Sequence, residues 1–186
     1  MKKKIIIIFI IFISFILVSC TTNQTDIPNN TGESYEGEQD EEKEQEESKN
    51  DKKAETSQEL LEMENKMIDL VNEEREKNDL NKLELDEELR NVARIKSQDI
   101  AENDYFKHTS PTYGSPFEMM KEFGIDFVQA AENLAGDRSV KSAHKGLMNS
   151  KGHRKNILTE GLTHIGIGIK EDDKYGYIFT QMFITK

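Results

Sequence analysis

The C-terminal end of the sequence alternates apolar and other side chains with the two-residue period of β-strands. Isoleucines alternate with two glycines and a lysine over residues 165–170, and a second alternating run covers residues 175–184. The polar residues 171–174 between the two runs predict the turn of a hairpin. Because both faces of these strands are partly apolar, we expect helices to cover the sheet on both sides.

Segments upstream of the hairpin repeat apolar side chains at the spacing of helices. We expect helices over residues 59–77, 87–103, 116–123, 140–148 and 152–158, and a third strand over residues 127–134. Asp86 is suited to cap the second helix, and Ser115 forms a capping box with Glu118 at the third. The prediction is an α+β fold: a three-layer α-β-α sandwich with a small, mainly antiparallel sheet.

Gly166 and Gly168 stand in the interior of the first predicted strand of the hairpin. Glycine weakens a strand, since it brings no side chain to the packing, unless another backbone has to approach closely. The two glycines therefore predict such a close approach.

The first twenty residues have the layout of an export signal. Three lysines precede an apolar run over residues 5–18, which is too short to span a bilayer comfortably. The run leads to Cys20, which stands where the lipobox of bacterial lipoproteins has its lipidated cysteine. We expect a signal peptide over residues 1–20 and a protein anchored through lipidated Cys20 to the extracytoplasmic face of the bacterial cell membrane. An uncleaved anchor and a secreted protein are the alternatives.

Residues 21–57 carry twelve acidic and four basic side chains, a net charge of -8. Low hydrophobicity with high net charge leaves too little apolar surface to offset the entropy of the chain. We therefore expect a disordered acidic linker over residues 21–57 and a folded domain over residues 58–186.

Composition excludes several classes of partner and site. The whole chain has a net charge of -11, which argues against nucleic-acid binding, because that requires clustered lysine and arginine. The single cysteine, Cys20, excludes an intramolecular disulfide and a cysteine-based zinc site. A metal would need histidine, carboxylate or backbone-oxygen ligands.

Three residues far apart in the sequence have side chains suited to chemistry: His108, Glu132 and His153. Two histidines and a carboxylate can bind zinc with an open position, or act as acid and base near neutral pH. Neither HExxH nor GxSxG occurs, and no motif marks Ser110 as a nucleophile. From the residues alone, a structural role for each histidine remains open.

Six motifs follow one another along the chain: LVNEERE, HTSP, AEN, SKGHRKNIL, THIGIGI and YIFTQMF. In this order they resemble the CAP superfamily, the SCP-like domain of cysteine-rich secretory proteins, antigen 5 and plant pathogenesis-related proteins. The resemblance is closest to the bacterial branch and covers residues 63–186. It implies an α-β-α sandwich and a central cleft of histidine and glutamate side chains, in which some members bind zinc or another divalent cation.

The resemblance assigns His108, Glu132 and His153 to this cleft as candidate metal ligands. Eukaryotic relatives often have a second glutamate where this chain has Asn149 or Ser150, which weakens a four-residue cation site. We expect supporting residues around the cleft, namely Asn133, Asn149, Ser150 and His164, the last of them at a strand edge. We also expect His144 to be solvated and Arg154 to have a charged partner inside the fold.

Two functions follow from the resemblance. The first is a cell-surface binding module for an envelope lipid, peptide or glycan, with or without a cation. The second is a metal-assisted, protease-like hydrolase, in which the three cleft residues would activate water on a metal. The missing second glutamate and the lack of an identified nucleophile favour binding, and no catalytic residue is assigned. A structural or regulatory protein with a vestigial cleft is a third interpretation.

Overall fold

The computed structural model describes the backbone of residues 38–186 and the side chains of residues 57–186. The predicted signal peptide, Cys20 and the predicted linker as far as residue 37 lie outside the described residues. Contacts divide the chain into two units between Glu41 and Glu42. Apart from residues 38–41 at the start of the first helix, the features below belong to the second unit. No helix in the described part is long and apolar enough to cross a bilayer.

The first helix begins earlier than the sequence predicts. Helix α1 spans Glu38–Lys77, so residues 38–57 are helical where the sequence predicts a disordered linker. This segment consists mostly of glutamate, lysine and glutamine, which have high helix propensity and can form ion pairs four residues apart. High charge therefore does not prevent a helix here.

The remaining elements follow the predicted order, with one strand added. They are β1 (Glu84–Leu85), α2 (Glu87–Glu102), α3 (Pro116–Glu122), β2 (Gln129–Asp137), α4 (Val140–Asn149), α5 (Lys151–Ile157), β3 (His164–Asp172) and β4 (Gly176–Thr185). The predicted caps are confirmed: Asp86 accepts a 2.9 Å hydrogen bond from the Leu89 N–H, and Ser115 forms a capping box with Glu118.

The sheet has four strands in the order β1-β3-β4-β2. The antiparallel pairing of β3 with β4 confirms the hairpin, and β2 pairs antiparallel with the other side of β4. The added strand β1 pairs parallel with β3 and makes the sheet mixed. Helices cover both faces, as predicted: α1, α4 and α5 pack against Ile165, Ile167 and Phe179, while α2 and α3 pack against Met182 and Ile184.

The close approach predicted at the two glycines of β3 is confirmed, and the neighbour is the backbone of α2. A Cβ atom on Gly168 would lie 2.1 Å from the carbonyl carbon of Ala93, and one on Gly166 would lie 2.4 Å from that of Leu89. The Ser97 hydroxyl of α2 donates to the Gly168 carbonyl oxygen at 2.9 Å. Helix α2 is therefore fixed directly on β3.

Candidate functional site

The candidate site lies on β2, the strand at one end of the sheet order. Successive side chains of a strand point to opposite faces of the sheet. Glu132 lies opposite Met182, on the face covered by α2 and α3, and Asn133 lies opposite Gln181, on the other face. The strand therefore presents the acid to α2 and the amide to α5.

The structure brings His108 and Glu132 together. Nδ1 of His108 lies 2.7 Å from Oε1 of Glu132. The Glu132 side chain is 1% exposed and the His108 side chain is 54% exposed, so the imidazole covers a buried acid. The second carboxylate oxygen, Oε2, is buried without a hydrogen-bond partner among the described residues. A buried acceptor without a donor is unfavourable, and this oxygen is suited to accept a hydrogen bond from a ligand.

The two groups of this pair shift each other's pKa. The hydrogen bond to Glu132 raises the pKa of the His108 imidazole, and burial opposes the rise less strongly. Burial raises the pKa of the Glu132 carboxyl, against the lowering effects of His108 and of the Lys96 ammonium. His108 therefore keeps its proton to higher pH than a free imidazole.

A fully buried lysine on α2 holds the segment that carries His108. Lys96 is 0% exposed, and its Nζ donates to the His108 carbonyl oxygen and to the Tyr105 hydroxyl, both at 2.9 Å. Burial lowers the pKa of Lys96, while the negative charges of Glu132 and Asp99 act to raise it. Lys96 thus positions the backbone of His108 and places a positive charge near Glu132.

Asp99, which follows on the same helix, holds the same segment through three hydroxyl groups. It accepts a short hydrogen bond from Tyr105, one of 2.7 Å from Ser110 and one of 2.9 Å from Thr112. Burial acts to raise the pKa of Asp99, but these hydrogen bonds outweigh it and the pKa is lowered. Burial and the bond to Asp99 raise the pKa of Tyr105.

Sequence reasoning missed Lys96 and Asp99, although a signal for them exists. Lys96 lies three residues after Ala93 and four before Ile100, both of which belong to the buried stripe of α2. A charged residue in the register of an apolar stripe is expected to be paired or hydrogen-bonded inside the fold. The spacing predicts burial of Lys96, but not the segment that covers it.

Helix α5 is tied to β2 by amide groups. Nδ2 of Asn133 donates to the His153 carbonyl oxygen at 3.1 Å and to Oε1 of the buried Gln181 at 3.0 Å. Nδ2 of Asn156 donates to Oδ1 of Asn133 at 2.9 Å and to the Glu132 carbonyl oxygen at 3.2 Å. Asn133 therefore ties β2 to α5 and β4, and its role in supporting a site stays a prediction.

Burial lowers the pKa of the His153 imidazole, and the positive charge of His108 lowers it further. The predicted cleft residues His108 and His153 therefore interact electrostatically, and the membership of His153 in one cleft with Glu132 stays a prediction.

The side chains of this cleft do not form a three-ligand metal centre as they lie. Within residues 57–186, no group of three or more histidine, cysteine, aspartate or glutamate side chains could hold a metal ion. Oε1 of Glu132 and Nδ1 of His108 are engaged with each other, which leaves Oε2 of Glu132, the other ring nitrogen of His108 and the imidazole of His153. Zinc sites in proteins use three or four protein ligands, so the set predicted from the sequence would have to rearrange to hold zinc.

The other predicted supporting residues make no side-chain hydrogen bond to His108, Glu132 or His153 within the described residues. His164 begins β3, which β4 separates from β2, and its Nε2 lies 3.9 Å from Oε2 of Glu84. Asn149 ends α4, and Ser150 lies between α4 and α5 without a side-chain capping hydrogen bond. The strand-edge placement of His164 agrees with the prediction, but His164 does not contact the cleft.

Two expectations about polar residues are wrong. His144 is buried on α4 rather than solvated, because it lies on the same helix face as the buried Val140, Ala143 and Leu147. Its Nδ1 has no hydrogen-bond partner among the described residues, and burial lowers its pKa. Arg154 is exposed and donates to the Met148 carbonyl oxygen at 2.8 Å instead of pairing with a buried charge.

Comparisons with known proteins identify similar sequences. The family model described as "CAP: Cysteine-rich secretory protein family" matches residues 68–183. The uncharacterized protein YkwD of Bacillus subtilis (strain 168) is 52% identical over 124 residues, which are 66% of this chain and 47% of YkwD. The uncharacterized membrane protein YlbC of the same organism is 42% identical over 124 residues, 66% of this chain and 34% of YlbC. The match thus spans about half and about a third of these relatives.

Solved structures give the same result for the fold. The crystal structure of an extracellular protein containing an SCP domain from Bacillus anthracis str. Ames has a TM-score of 0.64 and 34% identity, covering 68% of this chain and 41% of that one. An outer surface protein from Borrelia burgdorferi has a TM-score of 0.62 at 23% identity, covering 67% of this chain and 93% of that one. The second likeness concerns the fold alone.

Proposed function

The chain belongs to the cysteine-rich secretory protein (CAP) family, and from that premise we propose that it is an extracytoplasmic binding module. Its ligand is an envelope peptide, glycan or lipid that presents a hydroxyl or amide N–H group to the cleft. The observation that carries this proposal is the buried Oε2 of Glu132, which has no hydrogen-bond partner among the described residues.

A ligand donor at this oxygen would restore a missing hydrogen bond to a carboxylate, worth about 1.5–3 kcal/mol. The half-exposed imidazole of His108 lies beside this carboxylate and would offer a second polar contact. Ser110 is not available as the nucleophile of a serine hydrolase, because it is buried and its hydroxyl donates a hydrogen bond to Asp99. The unpartnered Oε2 of Glu132 is the observation that favours binding.

The anchor is a second part of the proposal. We propose that a lipid on Cys20 holds the chain on the extracytoplasmic face of the bacterial cell membrane. Support comes from the apolar run that ends at Cys20 and from the extracellular SCP-domain protein of Bacillus anthracis. Growth with an alkyne-labelled fatty acid should label the wild-type chain and not Cys20→Ser. Equal labelling of both chains would contradict the anchor.

Divalent-cation binding is a separate proposal for the same cleft. Two observations support it: the imidazoles of His108 and His153 interact electrostatically, and one oxygen of Glu132 has no hydrogen-bond partner among the described residues. Residues 57–186 contain no group of three ligands as they lie, so a cation would require the side chains to rearrange. Zinc titration by calorimetry on the wild type, His108→Ala and His153→Ala tests it. One zinc bound by the wild type and lost in both folded variants would support the proposal, while no binding, or equal binding by all three, would reject it.

Soluble glycan–peptide fragments of a bacterial cell wall are the first ligands to test. Such fragments present many hydroxyl and amide N–H groups. In imidazole NMR spectra, we expect their addition to shift the signals of His108 and His153 and to leave that of His164 in place. A shift confined to His164, or no shift at all, would contradict the cleft as the binding site. Zinc-dependent cleavage of the fragments would instead support the hydrolase.

A further inference from the structure

The surface of α4 and α5 has a different charge from the rest of the chain. The whole chain carries a net charge of -11, yet residues 138–159 contain neither aspartate nor glutamate. The same residues contain six exposed cations: Arg138, Lys141, Lys145, Lys151, Arg154 and Lys155. The segment that contains α4 and α5 thus presents exposed cations and no carboxylate of its own, and we call its exposed side the basic surface.

These six cations have no carboxylate partners in the part of the chain described here. Three of the other exposed lysines do have such partners. The Lys77–Glu74 pair is 2.7 Å apart, the Lys82–Glu76 pair 3.1 Å and the Lys186–Asp86 pair 2.6 Å. Cations of one sign without nearby carboxylates create a positive potential that attracts anions.

The cations of α5 line a groove. Lys151, Arg154 and Lys155 form it together with Leu158, Thr159 and Glu160, and its volume is about 540 Å³. Lys151 and Lys155 are four residues apart and so lie on the same face of the helix. One carboxylate, Glu160, also lines the groove, so an anion would contact the Lys151 end of the groove, away from Glu160.

We propose that this groove binds a phosphate-ester polyanion of the cell envelope. The guanidinium of Arg154 supplies fork-shaped donors that match phosphate oxygens, and Nη1 is already fixed by its bond to the Met148 carbonyl oxygen. Lysines one helical turn apart suit successive phosphates of a chain. This site lies beyond the cleft of His108 and Glu132, and its binding does not depend on the cleft.

The surface favours a soluble polyanion over an anionic membrane. Interfacial membrane-binding helices combine basic residues with apolar ones that enter the lipid. The large exposed apolar side chains of the described residues all lie outside α4 and α5: Leu85, Phe106, Phe117, Phe123 and Val128. The basic surface therefore offers charge without an apolar anchor.

Titration of the full chain with short-chain inorganic polyphosphate tests the groove. The variant Lys151→Gln/Lys155→Gln removes two exposed cations, and Lys77→Gln/Lys82→Gln removes two from another surface, so both variants have the same net charge. We expect the first variant to bind about tenfold more weakly and to reduce the slope of log K against log salt by roughly two. The second variant should bind like the wild type.

Three results would overturn the proposal. Equal weakening of both variants would mean that overall charge, not the groove, controls binding. If the wild type does not bind polyphosphate, the groove is not a polyanion-binding site. If the wild type binds phosphatidylglycerol vesicles more tightly than polyphosphate, the partner is a lipid surface. Glu132→Gln, tested in the same titration, should bind like the wild type, because the groove and the cleft are separate sites; weakening there would move the site to the cleft.

Discussion

Among residues 57–186, two histidine–glutamate pairs differ in burial. Nδ1 of His108 lies 2.7 Å from Oε1 of Glu132, whose side chain is 1% exposed. Nε2 of His164 lies 3.9 Å from Oε2 of Glu84, whose side chain is 84% exposed. Water screens the second pair, so its attraction is weak, whereas the first acts in a medium of lower dielectric constant. The same residue types thus form an anchored pair in the cleft and a loose contact at the sheet edge.

The elements that carry the two glutamates explain the difference. Glu132 lies within the nine-residue strand β2 and faces α2, whose Lys96 holds the backbone of His108. Glu84 lies on the two-residue strand β1 at the opposite end of the sheet order. Burial by a neighbouring helix therefore distinguishes the tight His108–Glu132 pair from the loose contact between His164 and Glu84.

Gly168→Ala should have the largest effect, since it displaces the helix that positions the buried pair. The added Cβ would lie 2.1 Å from the carbonyl carbon of Ala93, so α2 has to move away from β3. We expect the free energy of unfolding, measured by chemical denaturation, to fall by about 3 kcal/mol. Gly152→Ala on α5 is the matched control, because its Cβ would meet no atom within 4 Å. Equal destabilisation by the two variants would contradict the close packing.

Lys96→Met should affect the buried pair and leave the exposed pair unchanged. The variant keeps much of the apolar volume but leaves the carbonyl oxygen of His108 without its donor. We expect the free energy of unfolding to fall by about 1–3 kcal/mol. The pKa of His108 should rise, because the positive charge of Lys96 lowers it in the wild type. Denaturation and imidazole NMR titration measure both effects, with Lys82→Met as an exposed control; a falling His108 pKa would reject the role assigned to Lys96.

Glu132→Gln should change how stability depends on pH. The pKa of His108 is raised in the folded protein, so its contribution to stability is full below the pKa of the unfolded imidazole, about 6.5, and is lost as pH rises through the folded pKa. In the variant, the His108 pKa should fall and this loss of stability above neutral pH should shrink. Denaturation at a series of pH values measures the slope, and an unchanged slope would be evidence against the pair.

Glu84→Gln should have the smallest effect. The long distance to His164 and the high exposure of Glu84 make the pair weak, and we expect the free energy of unfolding to change by less than about 0.5 kcal/mol. A change as large as that of Glu132→Gln, measured at the same pH, would remove the contrast between the two pairs.

The parts of the fold that local rules govern could be predicted from the sequence. The alternation of β3 and β4 identifies the hairpin, and Gly166 and Gly168 predict the approach of another backbone. Strand β1 could not be predicted, because its two residues are too few to show the alternating pattern of a strand. The sequence predicts a disordered linker because residues 21–57 combine high net charge with low hydrophobicity. The helix propensity of residues 38–57, in contrast, favours the longer α1.

The candidate site could be predicted only in part. The resemblance to a family suggests His108, Glu132 and His153, but the short distance between His108 and Glu132 depends on how the segment after α2 folds back. The path of that segment depends on Lys96 and Asp99. The burial of Lys96 is hard to predict, because a lysine on a helix is usually exposed. The burial of His144 could have been predicted, because His144 has the helical spacing of the apolar Val140, Ala143 and Leu147 on α4.

The most direct test compares the affinities of Glu132→Gln and Glu84→Gln for glycan–peptide fragments of a bacterial cell wall. Both variants remove one carboxylate charge beside a histidine, and only the first alters the cleft. Equilibrium binding to the full chain should be weakened about tenfold or more by Glu132→Gln, as expected for the loss of one hydrogen bond to a charged group, and unchanged by Glu84→Gln. Equal affinities of the two variants would contradict the central claim that the buried Glu132 is the ligand anchor.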